Sequence, residues 1–393
     1  MVPSPPYKKG EMKPGYVFNE QGIDKSWKIS RLANQNWRTM RPASDFEKFE
    51  DLQQRVKSSY WQDSDRPNLP AVSYPVEWKQ PEDAGENAQT TCVFFKPPPG
   101  SKDPMDPNDI QQGGLGDCWF MAAASTVAME DSLDDRWLGR YDEDKGIYEF
   151  IFYEENDFSE RRVCVDRHLP LRKLKALPKG YTRGDGLPGD YRYCLCRSGT
   201  PGELWPSLIE KAFAKLYGSY DNIVGGLSAI GIANMVRGVP YSFTYGNKPL
   251  PSSPDVLWSK LVSMWNDGFL MGIGWKEAPG AGGGGPCGEP AAPFGLIGGH
   301  AYGILGLYKS KSTGKRFVKI RNPHATNEWQ GPWSDNSAEL RAHPRVLAEC
   351  GIDAVADDGI FLMCIEDVVE YGEGLEGVDC FEDMPPGRVK AEE

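Results

Sequence analysis

The chain is expected to fold as an α+β protein whose first half is helical and whose second half is rich in strands, with a cleft between the two. Two observations carry this expectation. Residues 120–128 and 203–217 hold apolar and small residues in long runs suited to helices. Beyond residue 268 the pattern changes to short apolar runs broken by turns, at 270–275, 301–308, 317–321 and 359–365. A length of 393 residues suits two or three domains with ample core. We divide it into an N-terminal extension at 1–56, a helical part at 57–228, a β-rich part at 229–375 and a tail at 376–393.

Composition narrows the function before any motif is read. Apolar residues make up 39% and charged residues 25% of the chain, the usage of a folded globular protein. A net charge of −12 opposes broad binding to nucleic acid or anionic membrane, which both need concentrated positive charge. Acidic surface of this kind is compatible with calcium instead. Nine cysteines lack paired spacing except at Cys194-Leu195-Cys196, and no apolar signal segment follows Met1. Reduced thiols and a cytoplasmic address are therefore expected. No apolar run approaches the ~18 residues of a membrane span.

In chain order, a Pro/Lys/Gly-rich arm leads into residues 44–59, where Phe46, Phe49, Leu52 and Val56 at helical spacing, with Ser44 as N-cap, predict a helix. That helix packs on the main body or serves docking or targeting. Residues 60–108 carry many prolines and are expected to be irregular. The alternation of Tyr148, Phe150 and Phe152, then Val163 and Val165, predicts a hairpin. In the helix at 203–217, Leu204, Leu208, Ile209, Ala212, Phe213 and Leu216 share a face, which is expected to meet the helix at 120–128. Another amphipathic helix spans 254–268. Residues 279–293 hold six glycines and four prolines. This predicts a mobile loop, either a surface insertion or a lid on the cleft, with Cys287 exposed and oxidisable.

The chemistry centres on Gln112-Gly113-Gly114-Leu115-Gly116-Asp117-Cys118-Trp119. A glycine-rich turn delivers Cys118 to a helix N-terminus, whose partial positive charge favours thiolate, the nucleophilic form. Gln112 is placed to offer a side-chain amide which, with the Cys118 backbone N–H, makes a two-donor oxyanion hole. The plainer reading of such a cysteine is a small buried hydrophobe. A base decides between them. Of four histidines, His168 at a strand edge and His343 before Pro344 look solvated. His300, in Gly298-Gly299-His300-Ala301-Tyr302-Gly303, opens an apolar strand after paired glycines, whereas His324 follows Asn322-Pro323 in a loop. His300 is the better base candidate, with a structural role as its alternative. Asn322, just after the next strand, is positioned to accept the imidazole N–H and fix its tautomer.

These segments resemble the calpains, calcium-activated members of the papain-like cysteine proteases. The matching stretches are 112–119, 203–220, 299–302 and 321–335, in the same order and spacing. Weaker similarity runs from Tyr60-Trp61-Gln62-Asp63 through Glu77-Trp78-Lys79-Gln80-Pro81 to about Val369. The resemblance implies a two-lobed papain-like core acting on protein substrates. Cys118 would be nucleophile, His300 base and then acid, Asn322 orienter and Gln112 oxyanion donor. It also implies one Ca2+ per lobe. Asp109 and Glu203, with backbone carbonyls near Lys102 and Pro104, fall on the first site, and Glu328, Asp335 and Asp358 on the second. No EF-hand loop is found.

Three positions depart from the family. His324 stands where the family has a tryptophan that shields the Asn–His hydrogen bond. Ile360 replaces an acidic calcium ligand, and Pro107 replaces an arginine that pairs with that acid across the lobes. A catalytically weak or silent calpain-like interaction protein is therefore the alternative function. A transglutaminase-like acyl transferase fits less well, since Asn322 stands where such enzymes have Asp. Residues 1–56 are the segment through which a peripheral membrane or a regulatory partner would act.

Overall fold

The computed structural model describes residues 30–31 and 38–380, except 58–59, 73, 84–91, 97–104, 131–133, 156, 174–190, 244–249, 281, 284, 286–287 and 353–354. Cys287, Lys102 and Pro104, together with residues 1–29, lie outside the described residues.

The helix that carries the cysteine is α1, Cys118–Val127. Every residue after Cys118 in it is buried, so it has no polar face and its Ala122-Ala123-Ala124 run lets neighbours approach closely. Against it lies α2, Trp205–Leu216, with Pro206 in the first turn where its missing N–H costs nothing. The contact includes the Phe120 and Phe213 rings, stacked 3.6 Å apart. The other face of α2 is buried too. Its lysines reach the hairpin Ile147–Tyr153 and Glu160–Asp166. Lys211 pairs with Asp166, and Lys215 Nζ meets Asp63 at 2.6 Å. Buried charges of this kind hold only because each has a partner.

Helix α3, Ser228–Val236, leads into β1, Gly238–Ser242. Helix α4, Pro254–Asn266, then precedes β2, Leu270–Trp275; β3, Tyr302–Lys309; β4, Arg316–Arg321; β5, Ile360–Cys364; and β6, Gly372–Cys380. These strands join the two-residue strand Ser30–Arg31 in one antiparallel sheet of seven, in the order Ser30–Arg31, β1, β6, β2, β3, β4, β5. Helix α1 packs on this sheet at β3. A Cβ added to Gly303 would lie 2.6 Å from Thr126 Oγ1, so only glycine permits the observed approach of strand to helix.

Several expectations need correction. The helix expected at 44–59 is a 3₁₀ turn, Ala43–Asp45, then a shorter α-helix, Phe49–Arg55, capped by Lys48 rather than Ser44. Phe46 breaks the run because its backbone is extended. The helix packs on the hairpin through Phe49 and Leu52 against Trp61, Ile147 and Cys164. Within 60–108, Val76–Lys79 is a strand paired with Leu169–Lys173. His168 is not solvated, since its Nδ1 lies 2.9 Å from Asp166 Oδ2. The tail set at 376 begins too early, because β6 runs through Cys380 in the middle of the sheet.

The end of β4 crosses into the helical half. Arg321 is fully buried, donating to Ser125 Oγ on α1 at 3.0 Å and to the Ile110 carbonyl at 2.6 Å. Burial pulls its guanidinium down to about 10, opposed chiefly by Asp358 and Asp106, so it stays charged at neutral pH. Arg321→Met should lower the free energy of unfolding by about 3 kcal/mol, because a buried carbonyl and a hydroxyl lose their donor. Urea unfolding monitored by tryptophan fluorescence would show this, and an unchanged midpoint would refute it.

Candidate active site

Strand pairing assembles the site. Gly303 faces Arg321 across the β3–β4 ladder, so His300, just before β3, and Asn322, just after β4, emerge side by side. Gly299 has φ of +61°, a left-handed conformation that side chains resist, and it turns the chain so that His300 points inward. His300 Nε2 lies 2.8 Å from Asn322 Oδ1. The asparagine is fixed in turn. Its Nδ2 donates to the carbonyls of Thr326 and Asn327 at 2.8 and 3.2 Å, and its Oδ1 also accepts the His324 N–H at 3.0 Å. With Oδ1 thus assigned as acceptor, neutral His300 carries its proton on Nε2, and Nδ1 presents a lone pair.

Cys118 and His300 line one cavity of about 360 Å³, together with Val224, Gly226, Trp275, Glu289 and Glu376. The Ala301 N–H donates toward the Cys118 sulfur. The two candidates thus face one space despite their separation in the chain. Gln112 is buried beside them, and its backbone N–H donates to the Pro323 carbonyl at 2.8 Å. One N–H of its side-chain amide is engaged by the Leu115 carbonyl at 2.7 Å, leaving the second N–H as the oxyanion donor candidate.

The charge state of Cys118 differs from the sequence expectation. Desolvation in the cleft pushes the thiol up to about 12, with the Asp117 and Glu289 carboxylates adding to the rise. A helix N-terminus contributes about 0.3–1 kcal/mol, less than one pK unit, whereas burial shifts a group by up to about 3–5 units. Burial wins here. It also lowers His300, so thiol and imidazole rest neutral.

Of two further residues at the site, the first was missed from sequence and the second was read as the ring replacing a shielding tryptophan. Glu289, from the glycine-rich loop, places Oε1 3.4 Å from His300 Nδ1 and 3.4 Å from His324 Nε2. His324, expected in an open loop, is buried and stacks on His300 with ring centres 4.4 Å apart and planes 4° from parallel. Only the position of the loop beside residues 294–300 hinted at the first.

The five carboxylates assigned to calcium fall into two groups. Asp109 and Glu203 are buried together, and desolvation followed by their mutual proximity raises Glu203. Asp109 is raised by desolvation as well. It accepts from Trp205 Nε1 at 3.1 Å, and Glu203 accepts from Ser198 Oγ at 2.6 Å. In the second group, desolvation plus the charges of Asp335 and Asp358 lifts Glu328 to about 8. Glu328 Oε1 accepts the N–H groups of Asp358 and Gly359 at 3.0 and 2.8 Å. The donors in both groups are oxygen only, the chemistry a hard cation takes, but among the described residues Glu328, Asp335 and Asp358 are not gathered within 4.8 Å of one another.

A cysteine at a helix N-terminus sharing a cleft with a histidine oriented by an asparagine is the arrangement of a thiol peptidase. The comparisons with known proteins agree. The family described as calpain family cysteine protease matches residues 49–377. Calpain-5 of Mus musculus is 28% identical over 321 residues, covering 75% of this chain and 44% of that protein. Calpain-9 of Homo sapiens is 28% identical over 337 residues, covering 84% and 42%. The calpain-type cysteine protease DEK1 of Zea mays is 30% identical over 270 residues, covering 67% and 11%. The chain belongs to the calpain family of cysteine proteases, and it spans less than half the length of these relatives.

Glu376 gives the cleft a pH signature. Lining the cleft and accepting the Ala229 N–H at 3.2 Å, it is raised by desolvation from 4.5 to about 7. The folded state therefore holds this proton more tightly than the unfolded state, and stability falls as pH rises from the ordinary carboxyl range toward 7. Glu376→Gln should remove this part of the loss, on the order of 3 kcal/mol at most. Urea unfolding of both proteins at about pH 5 and pH 8 tests it; a difference between them that does not change with pH would exclude the assignment.

Proposed function

We propose that this protein is a calcium-regulated cysteine endopeptidase with the two-lobed papain-like architecture, cleaving protein substrates through Cys118, His300 and Asn322. The observation that carries the reading is the shared cleft of Cys118 and His300, with Nδ1 of His300 left unprotonated by the Nε2–Asn322 hydrogen bond.

In this mechanism the Cys118 sulfur attacks the peptide carbonyl carbon while its proton passes to His300 Nδ1. Electrons displaced onto the carbonyl oxygen are held by the Cys118 N–H and the second N–H of Gln112 Nε2. The C–N bond then breaks as His300 returns the proton to the leaving amine. Water, deprotonated by His300, hydrolyses the thioester. Glu289 must withdraw from Nδ1 for any of this to proceed, which gives loop 279–293 the role of a gate. Asp109 and Glu203, and Glu328, Asp335 and Asp358, would hold Ca2+, whose positive charge would offset the crowding of these carboxylates. Ile360 and Pro107 leave the second site weaker and remove the family's link between lobes. Arg321, bound to Ser125 and Ile110, supplies a different link, from β4 to α1 and to the strand that begins at Ile110.

Among the described residues no helix is long and apolar enough to cross a membrane. Residues 1–56 are assigned to a regulatory partner or a peripheral membrane, and the site of action to the cytoplasm. Arg38 bonds the carbonyls of Asn222, Val224 and Gly225, of which the last two residues line the cleft, so the extension can report to the site. A second reading, a silent calpain-like interaction protein, is favoured by Glu289 beside the base.

Casein cleavage titrated with calcium separates the two readings. The endopeptidase predicts cleavage that rises with calcium and vanishes in Cys118→Ala, with Asn322→Ala lowering kcat roughly 10²-fold. Iodoacetamide should label Cys118 faster with calcium than without. Residual cleavage in Cys118→Ala equal to wild type would sink the assignment.

A further inference from the structure

Glu289 and His324, which the peptidase mechanism does not use, form a cluster with its base, His300. Glu289 Oε1 lies 3.4 Å from both His300 Nδ1 and His324 Nε2, and the three donor atoms all fall within 4.8 Å of one another. Among the described residues this is the one group of histidine, cysteine and acidic side chains brought together so closely.

At 3.4 Å the His324–Glu289 contact is a long hydrogen bond and the His300–Glu289 contact is equally long. A charge-assisted N–H···O bond closes to about 2.7–2.9 Å. Around a tetrahedral Zn2+ with bonds of about 2.0–2.1 Å, neighbouring ligand atoms stand about 3.4 Å apart. The protonation pattern points the same way. Asn322 takes the Nε2 proton of His300, so Nδ1 is a bare lone pair, buried and without a hydrogen-bond partner. Facing it at 3.4 Å is the carboxylate oxygen of Glu289. Two acceptors in contact require a proton or a cation between them. Metal-ligating histidines commonly donate their other ring N–H to an oxygen acceptor that fixes tautomer and orientation, and Asn322 does this here.

We propose that Glu289, His300 and His324 bind one Zn2+ or a similar borderline divalent cation, which occupies the lone pair of His300 and holds the peptidase off. Two imidazole nitrogens and one carboxylate suit zinc, and the nitrogen donors discriminate against calcium. The fourth position opens onto the cavity that Cys118 lines. Parallel rings aim their lone pairs side by side, so capture requires one ring to tilt. His300 is held through Asn322, and His324 supplies the movement. The inhibitory consequence rests on His300 being the base; the binding itself does not.

The test uses the full chain carrying Cys118→Ala, stripped with chelator and kept in excess calcium to occupy oxygen-only sites. Zinc affinity is read by competition with a chromophoric chelator, and Co2+ reports geometry by its visible absorption. The expected result is one equivalent of Zn2+, a four-coordinate Co2+ spectrum, and affinity at least about tenfold weaker in both Glu289→Gln and His324→Trp. Circular dichroism checks that each variant is folded, and Glu289→Gln, on the loop, serves if His324→Trp is not. No zinc bound, or affinity that Glu289→Gln leaves unchanged, overturns the proposal. With Cys118 restored, zinc should abolish casein cleavage and chelator should restore it. A protein that binds zinc through Glu289 yet never cleaves casein upholds this site and refutes the peptidase reading instead.

Discussion

Three consecutive residues at the end of one strand tie the chemistry of this protein to its packing. Arg321 reaches Ser125 and the Ile110 carbonyl, Asn322 holds His300, and the Pro323 carbonyl accepts the backbone N–H of Gln112. A buried guanidinium is tolerable only while its hydrogen bonds are made, so the position of β4 against α1 is narrowly defined. The same constraint carries Asn322 to His300 and brings the loop of Gln112 and Cys118 against the sheet. Gly303 completes it from the neighbouring strand by letting β3 approach Thr126. A disturbance at any of these points moves the histidine relative to the cysteine.

Desolvation governs the electrostatics of the cleft and its surroundings. It raises Cys118 and lowers His300, and it raises Asp117 together with Glu210, a buried carboxyl pair directly behind the cysteine. That pair is most easily kept by sharing a proton, since two adjacent carboxylates cannot both ionise out of water. Desolvation likewise raises Asp109, Glu203, Glu328 and Asp335. Arg321 lies close enough for Asp358, Asp106 and Asp109 to favour its charge. The acidic excess visible in composition is thus partly internal.

The legible parts of the fold were those with one exposed face or a strong local signal. The apolar stripe of α2 and the runs of β2, β3 and β4 read directly from the sequence. Helix α3 did not, because Ser228–Val236 is buried on every side and its pattern carries no period to detect. Strand β6 was missed for the opposite reason: Gly372, Gly374 and Gly377, alternating with acidic residues, carry little strand propensity, and the sheet on both sides imposes the conformation. In the hairpin, Ile147–Tyr153 is buried at every position, so its alternation was only apparent. The residues of the triad were legible as types and spacing. Their charge state was not, since burial depends on the whole cleft.

Glu289 and His324 show why a complete triad does not by itself describe a working site. The hydrogen bond from His300 Nε2 to Asn322 leaves Nδ1 as a buried lone pair, and a lone pair beside a carboxylate calls for a proton or a cation. A tryptophan at the position of His324 would offer no metal-ligating atom. An imidazole there shields the Asn322–His300 bond equally well by stacking, yet it brings a second nitrogen to the same point, and the glycine-rich loop then delivers a carboxylate between them. His324 therefore changes what the cleft offers a cation while leaving Cys118, His300 and Asn322 as they are. On the peptidase reading, catalysis and cation capture would draw on the same atom of His300 and so exclude each other.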